Sequence, residues 1–216
     1  MSTNRNQKAY IRIDGSGRDV AGSLILRNKK PGNGKWREVL AYECCNFDPI
    51  PTTTTTTTAD PLAIGTFYLG GIIASSTIID NQVMVVDLND LGLNAWNTGP
   101  TTLIGTSAAL KQGSINTNAI LTQGYPTPNA ASVCRAGIID WDLPSKDELN
   151  ELYVNLTDIN TGIANNGGTL ILGGNLWSST ELVSTSAWAQ RFNDGYQGNY
   201  NKLFTNVVRA VRWVNI

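Results

Sequence analysis

The sequence contains no histidine, and only 15% of its 216 residues are charged, against about a quarter in an average globular protein. Without histidine the chain lacks the commonest general base and the usual activator of a nucleophilic side chain. Its 16 basic and 17 acidic residues give a net charge of −1, which offers no electrostatic basis for binding nucleic acid. We therefore expect a protein that is not an enzyme and has no nucleic-acid partner.

Cysteine is also scarce. Cys44 and Cys45 are adjacent, where a mutual disulfide is strained, and Cys134 stands alone. Three cysteines without a CxxC pair argue against a structural zinc site, so we predict free, buried thiols and no metal or other cofactor. No apolar run is long enough to span a bilayer and no hydrophobic segment follows the basic residues near the N-terminus, so we expect neither membrane insertion nor a secretory signal.

Asparagine, threonine, serine and glycine take the place of the missing charges, as is typical of β-rich and loop-rich proteins. Seven consecutive threonines lie in PIPTTTTTTTADP, from Pro49 to Pro61. Because β-branched residues and flanking prolines favour extended backbone, we predict a stiff spacer over residues 49–61, with an ordinary strand as the alternative. The spacer separates an N-terminal module (residues 1–48) from a larger domain (residues 62–216).

The N-terminal module alternates strand-like runs, KAYIRID, DVAGSLILR and KWREVLAYECC, with the turn signals DGSG and KKPGNGK. So short a β-structure is marginally stable by itself and is usually stabilised by pairing with copies of itself or with a larger partner. We predict a docking module with Arg27, Trp36 and Arg37 at its interface. The alternative is that Trp36 only anchors the core of the module.

The larger domain begins with two apolar runs around a turn at Asp80 and Asn81, which predicts a hairpin. Ser145 and Glu148 form an S-x-x-E capping box, and apolar residues follow it at helical spacing, so a helix is predicted from Ser145. The polar stretch after Asn155 is predicted to be loop, with one short strand at residues 169–172. From Leu176 onward we predict three or four antiparallel strands with turns at residues 193–195 and 198–201.

Several strings of this domain occur in the order of a known family. They are YLGGIIASST, GTSAALKQGSINTNAI, DWDLPSKDELNELY, LWSSTE, SAWAQRFNDG and VRAVRW. Together they resemble the C-terminal domain of the Legionella collagen-like (Lcl) protein family, a branch of the C-type-lectin-like and formylglycine-generating-enzyme-like fold. The resemblance covers residues 60–216 and implies an α+β domain with antiparallel strands, one or two helices and long loops. A scaffold of this kind leaves function to its loops.

The resemblance does not imply that this chain is catalytic or that it binds calcium. The formylglycine-generating relatives work through cysteines in the C-terminal region, whereas Cys134 lies before the predicted helix. The Glu-Pro-Asn and Trp-Asn-Asp triplets of sugar-binding C-type lectins are missing. A calcium site from oxygen ligands remains an alternative, and its candidates are Asp158, Asn160, Asn165 and Asn166.

The aromatic and basic residues of the resembling strings have two interpretations. Trp141, Trp177 and Trp188 are expected to pack in the core around the helix, the alternative being a sugar-stacking platform. Arg209 and Arg212 are expected to link the last strand to carbonyls or to carboxylates such as Glu181 or Asp140. Binding of an anionic ligand is the alternative.

One stretch favours recognition more than any other. RFNDGYQGNYNKLFTNVV is dense in tyrosine and asparagine, which make large and adaptable contacts at low entropic cost. It is similar to the variable C-terminal region of retroelement-diversified proteins of this fold. We predict a ligand-binding face here, helped by the loop over residues 160–175, with a merely polar hairpin as the alternative. Its candidate residues are Asn193, Asp194, Tyr196, Gln197, Asn199, Tyr200, Asn201 and Asn206.

The N-terminal string YIRIDGSGRDVAGSLILRNKKPGNGKWREV resembles a module at the N-termini of structural proteins of crAss-like tailed bacteriophages. The two resemblances together imply a virion structural protein, a head fibre or capsid-decorating appendage, assembled in the host cytoplasm. Its expected partners are other virion proteins through the N-terminal module, further copies of itself, as in a trimer, and a host-surface glycan. The alternatives are a bacterial carbohydrate- or matrix-binding adhesin and a tail-fibre tip protein.

Overall fold

The computed structural model describes residues 8–12, 25–27, 36–39, 60, 62–99, 102–137 and 141–216. The chain divides into two compact units, Met1–Thr57 and Thr58–Ile216. The described residues of the first unit form an antiparallel sheet of β1 (Lys8–Arg12), β2 (Ile25–Arg27) and β3 (Trp36–Val39), with β1 in the middle. Each strand lies within one of the three predicted runs. Apart from Asp60, the predicted spacer lies outside the described residues.

The second unit combines two sheets with four helices in its described residues. This confirms the α+β class but not the expected number of one or two helices. Its strands are β4 (Phe67–Tyr68), β5 (Gly71–Ile79), β6 (Gln82–Val86), β7 (Leu93–Ala95), β8 (Asn175–Val183), β9 (Ser186–Arg191), β10 (Gln197–Asn201), β11 (Thr205–Val207) and β12 (Val211–Asn215). Its helices are α1 (Gly113–Thr122), α2 (Ala130–Cys134), α3 (Lys146–Val154) and α4 (Leu156–Asn165). One sheet has the order β12-β6-β5-β4 and the other β10-β9-β8-β11-β7. No helix in the described part of the chain is long and apolar enough to cross a bilayer.

The hairpin of β5 and β6 forms where the turn signal placed it. Asp80 and Asn81 have φ values of +50° and +59°. A two-residue hairpin turn with both central residues in the left-handed region matches the right-handed twist of the strands, and aspartate and asparagine tolerate that region best after glycine. The prediction of this turn is confirmed.

Burial on both sides explains the long apolar runs of this four-stranded sheet. Along β6, Val83 and Val85 belong to one apolar cluster, and Met84 and Val86 to another. Since side chains alternate across a strand, the two clusters lie on opposite faces of the sheet. The first cluster contains Trp96, Trp141 and Trp177. The second contains buried residues of α3 and α4, namely Leu149, Leu152, Ile159 and Ile163.

Helix α3 begins as the sequence predicted. The Ser145 hydroxyl accepts from the Glu148 N–H at 3.2 Å, and Glu148 Oε2 accepts from the Ser145 N–H at 2.7 Å, so both halves of the capping box are present. Leu149 and Leu152 are buried on its apolar face. The local pattern was sufficient here because a capping box needs only residues three apart.

Four local predictions in the second half of the unit are wrong. Five strands, β8 to β12, form in place of the three or four antiparallel strands predicted from Leu176 onward, and β11 pairs with β8 in parallel. Residues after Asn155 form α4 rather than loop, because Ile159 and Ile163 are buried and Gly162 packs so closely that a Cβ would meet the Gly65 main chain. Residues 169–172 pair with no strand; instead Asn160 holds Ile171 through two hydrogen bonds of 2.9 Å. Residues 198–201 belong to β10 and are not a turn.

Cys134 is free and buried, as predicted. Burial raises the pKa of its thiol, with Asp142 as the next largest cause. A thiol with a raised pKa is mostly protonated and unreactive at neutral pH. Cys44 and Cys45 lie outside the described residues.

The carboxyl group of Asp142 makes stability depend on pH. Burial raises its pKa from 3.8 to about 6, although Arg135 Nη2 donates to its Oδ1 at 2.5 Å and opposes the rise. Because the folded pKa lies above the unfolded one, the folded state holds this proton more tightly, and the contribution to stability is lost as the pH rises from 3.8 through about 6. We expect a higher melting temperature at pH 5 than at pH 7.5, and a smaller difference in Asp142→Asn.

Thermal melts of both proteins in one buffer series test this dependence. Burial also raises the pKa of Glu148, so the Asp142→Asn variant should keep part of the difference. A wild-type melting temperature that rises between pH 5 and pH 7.5, or an unchanged difference in the variant, contradicts the prediction.

Candidate ligand-binding face

The predicted face lies on the β9–β10 hairpin, at the edge of the five-stranded sheet. Its tip turns at residues 193–195, as predicted, and the Arg191 N–H donates to the Tyr196 carbonyl at 2.9 Å. Phe192 is buried beneath the tip and packs edge-to-face on Tyr153, with ring centroids 5.8 Å apart. Gly195 has a φ of +78° and lies directly against the Tyr153 ring. The hairpin tip is therefore fixed from below.

An ion pair of Arg191 and Asp194 lies against Tyr196, the exposed tyrosine of the tip. Arg191 Nη2 donates to Asp194 Oδ2 at 2.5 Å and Arg191 Nε donates to Asp194 Oδ1 at 2.8 Å. The Arg191 guanidinium lies 5.4 Å from the centre of the Tyr196 ring, and this ring is 58% exposed. The hydrogen bond from Arg191 lowers the pKa of Asp194. Tyr196 thus offers a large aromatic surface whose position is already restrained.

The loop before β8 reaches this tip. Asn193 Oδ1 accepts from the Gly174 N–H at 2.9 Å, and the Phe192 N–H donates to the Gly174 carbonyl at 2.8 Å. Leu172, two residues earlier in the loop, is 82% exposed. The structure therefore brings the C-terminal end of the predicted loop, residues 172–175, to the hairpin. The earlier part of that segment is α4.

The eight candidate residues do not share one face. Side chains alternate along β10, so Gln197, Asn199 and Asn201 lie on one side of the strand and Tyr200 on the other. A Cβ at Gly198 would meet the rings of Tyr196 and Tyr200, which places these two rings on the same side. The candidates therefore form a tyrosine side and an asparagine side of a single hairpin.

Three of the eight candidates are buried or half-buried. Tyr200 is half-buried, packs edge-to-face on Trp177 with centroids 6.3 Å apart, and lies 3.3 Å from Asn175 Oδ1 through its hydroxyl. Gln197 is half-buried, and its Nε2 donates to the Lys146 carbonyl at 3.2 Å. Asn206 is only 8% exposed and lies in β11 opposite Asn94. The exposed candidates are Asn193, Asp194, Tyr196, Asn199 and Asn201.

The asparagine side contains an aromatic residue that the sequence analysis assigned to the core. Trp188 lies opposite Asn199 in the ladder of β9 and β10, which puts it on the same side of the sheet. It is half-buried, with the Lys146 ammonium 4.6 Å from the ring centre. By contrast, Trp141 and Trp177 are buried as predicted. The strand register, had it been known, would have placed Trp188 beside the predicted face.

A buried ion pair supports the other end of the hairpin. The Lys202 ammonium donates to Glu181 Oε1, with both side chains almost fully buried, and it lies 4.3 Å from the centre of the Trp96 ring. Glu181 Oε2 accepts from the N–H groups of Ile104 and Gly105 at 2.8 and 3.0 Å. The pair therefore ties the turn after β10 to β8 and to the loop before α1. Sequence reasoning missed it because charged residues in polar strings are usually exposed.

The two arginines of the last strings bond to carbonyls, as expected. Arg209 donates to the carbonyls of Asp87 and Thr169 at 3.1 and 2.6 Å, and Arg212 donates to the Leu69 carbonyl. Glu181, suggested as a carboxylate partner, binds Lys202 instead. Asp140 lies outside the described residues.

The calcium candidates and the docking candidates lie in separate units of the chain. The four calcium candidates lie on α4 or at its C-terminal end, and the described residues contain no group of three or more carboxylate, cysteine or histidine side chains that could hold a metal ion. Arg27 lies in β2, and Trp36 and Arg37 lie in β3, on the two edge strands of the first unit. The side chains of these three docking candidates are outside the described part of the structure.

No protein-family model and no curated protein matches this chain.

Proposed function

We propose that the chain is a bacteriophage virion protein, a head fibre or capsid-decorating appendage whose second unit has a C-type-lectin-like fold. The observation that carries the binding role is Tyr196, which is 58% exposed and yet clamped by the ion pair of Arg191 and Asp194. An exposed aromatic ring held in place by a rigid scaffold loses little conformational entropy when it binds a partner. In this proposal the protein acts by recognition and not by catalysis.

The α+β architecture and the two sequence resemblances support the remaining parts of the proposal. The first unit docks on other virion proteins through the sheet that contains Arg27, Trp36 and Arg37. Copies of the chain associate, as a trimer, and the second unit presents its hairpin to a glycan of the host surface. The exposed Asn199 and Asn201 lie on the same side of the hairpin as the Trp188 ring, and amide groups beside an aromatic ring suit a ligand rich in hydroxyl groups.

The proposed location is tested by mass spectrometry of purified phage particles and of the lysate from which they came. We expect the chain in the particles at a stoichiometry comparable with that of other head proteins, and antibody labelling on the head. Detection in the lysate but never in the particles would exclude a virion protein. Association with the bacterial surface in uninfected cells would favour the adhesin.

The binding role predicts the behaviour of Tyr196→Ala. We expect this variant to bind host cells at least about tenfold more weakly, since a restrained and exposed tyrosine is a typical binding hot spot. Its melting temperature should stay within about 2 °C of the wild type, because an exposed ring contributes little to the core. Binding is measured with labelled protein on host cells, and stability by thermal melting of the same preparations.

Two further variants serve as controls. Phe67→Ala removes another exposed ring, which is 48% exposed and lies in the other sheet, and should leave binding unchanged. Tyr200→Ala should lower the melting temperature, since this ring packs on Trp177. Normal binding by Tyr196→Ala would exclude the hairpin tip from the binding face.

A further inference from the structure

A cleft of about 430 Å³ lies against the four-stranded sheet and shares no residue with the β9–β10 hairpin. Pockets that bind small ligands have volumes of about 300–1,000 Å³. The walls come from β6, from the beginning of α1 and from the edge strand β12. The lining residues are Gln82, Lys111, Ser114, Ile115, Asp142, Arg212 and Trp213.

The polar side chains of the cleft are held in place by neighbours. The Trp213 indole N–H donates to Glu148 Oε1 at 2.7 Å, which fixes a half-buried ring. Gln82 Nε2 donates to Asn215 Oδ1 at 3.0 Å, leaving the amide oxygen of Gln82 to accept from a ligand. Asp142 is held by Arg135, whose Nη2 also lies 3.5 Å from the Ser114 hydroxyl. Such a restrained set of donors and acceptors orients a ligand without losing much rotamer entropy.

Among the described residues that line the cleft, one positively charged side chain has no carboxylate partner. Lys111 pairs with Asp80 at 2.7 Å, and Asp142 pairs with Arg135. Arg212 has no carboxylate within 4.0 Å among the described residues. Its guanidinium lies 4.9 Å from the centre of the Trp141 ring and makes one hydrogen bond, to the Leu69 carbonyl. A guanidinium has five N–H donors, and the Nε–H of Arg212 is buried, so the remaining N–H groups on its two Nη atoms are the donors left for a ligand.

We propose that this cleft binds an acidic monosaccharide residue, a sugar ring that carries a carboxylate. Arg212 supplies the unpaired cation for the carboxylate, and Lys111, which already donates to Asp80 and to the Ile79 carbonyl, has one N–H left for it. A charged hydrogen bond of this kind is about twice as strong as a neutral one. Asp142, Gln82 and Ser114 supply acceptors and donors for hydroxyl groups. The Trp213 ring and the exposed Ile115 side chain offer apolar surface for the C–H face of the sugar.

The test is an NMR titration of the full chain, followed at the Trp213 indole N–H. The acidic probes are the methyl glycosides of glucuronic acid and N-acetylneuraminic acid, and methyl glucoside is the neutral counterpart. We expect at least one acidic probe to shift the Trp213 signal with a millimolar Kd, and methyl glucoside to bind at least about tenfold more weakly. Lys111→Gln and Arg212→Gln should each weaken the acidic probe by about tenfold, or about 1.4 kcal/mol.

Lys8→Gln is the matched control, since it removes one positive charge from β1 of the first unit, which contributes no lining residue to the cleft, and should change the affinity less than twofold. Lys111 keeps the proposal testable if Arg212→Gln does not fold. Equal binding of acidic and neutral sugars, absence of a Trp213 shift with both acids, or an equal effect of Lys8→Gln and Lys111→Gln would each overturn the proposal. None of these outcomes depends on whether the protein belongs to a virion or whether Tyr196 binds host cells.

Discussion

Replacing Lys202 with methionine is expected to lower the free energy of unfolding by about 3–5 kcal/mol. The side chains of Lys202 and its partner Glu181 are almost fully buried, with exposed fractions of 0% and 1%. Methionine keeps most of the volume of lysine but leaves a buried carboxylate without its cation. For a unit of this size the melting temperature should fall by roughly 10 °C, measured by circular dichroism.

Two variants separate the ion pair from the packing of Lys202 on Trp96. Lys146→Met also removes an ammonium from above a tryptophan ring, but Lys146 is half-exposed and has no carboxylate partner among the described residues. It should cost less than about 1 kcal/mol. The double variant Lys202→Met/Glu181→Gln removes the buried charge and should recover part of the loss. If Lys202→Met melts like Lys146→Met, the pair does not stabilise the fold as argued.

Features that depend on a few neighbouring residues were predictable from the sequence. The capping box of Ser145 and Glu148 and the turn at Asp80 and Asn81 are local, and both form as expected. The burial of Trp141 and Trp177 was also predicted, since both lie in the strings that carry the family resemblance and tryptophan is highly buried on average.

Features that depend on packing across the fold were not predictable. Helix α4 has a polar sequence, and its buried residues Ile159 and Ile163 become a helical face only against β5 and the Gly65 main chain. The pair of Lys202 and Glu181 joins residues that meet only after the strands have paired. The alternation of residues along a strand can be recognised in a single sequence, but the strand with which it pairs cannot. The sequence therefore predicts which residues share a side of the strand, but not which side faces solvent.

The candidate face likewise combines features that the sequence predicted with features that depend on packing across the fold. Composition alone selected residues 193–206, and the exposed tip with Tyr196 lies there. The register of β9 and β10 then separates Tyr196 and Tyr200 from Asn199, and adds Trp188 to the asparagine side. Asn206 belongs to the interior of the sheet, since β11 lies between β8 and β7. The residues available for recognition are therefore fewer than the sequence suggested, and they are held more firmly.

Trp177→Ala is expected to destabilise the second unit by roughly 3–5 kcal/mol, the usual cost of truncating a buried tryptophan. Trp177 is fully buried in β8 and packs edge-to-face on Tyr200. Its indole N–H also donates to the Asn94 carbonyl at 2.9 Å, linking β8 to β7 across the intervening strand β11. Alanine leaves a cavity and removes the donor from the Asn94 carbonyl. We expect a melting temperature about 10 °C lower by near-ultraviolet circular dichroism.

Trp188→Ala provides the comparison, because Trp188 lies in the neighbouring strand β9 but is only half-buried. Its loss should cost less than half as much as that of Trp177, since part of the ring is already in contact with water. The same pair of variants also separates folding from recognition. Trp177→Ala should reduce host-cell binding only because part of the protein is unfolded, so binding should return on cooling. If the asparagine side contacts the ligand, Trp188→Ala should weaken binding although the domain is still folded. A Trp177→Ala protein that melts within 2–3 °C of the wild type would show that the core between the two sheets does not depend on this ring.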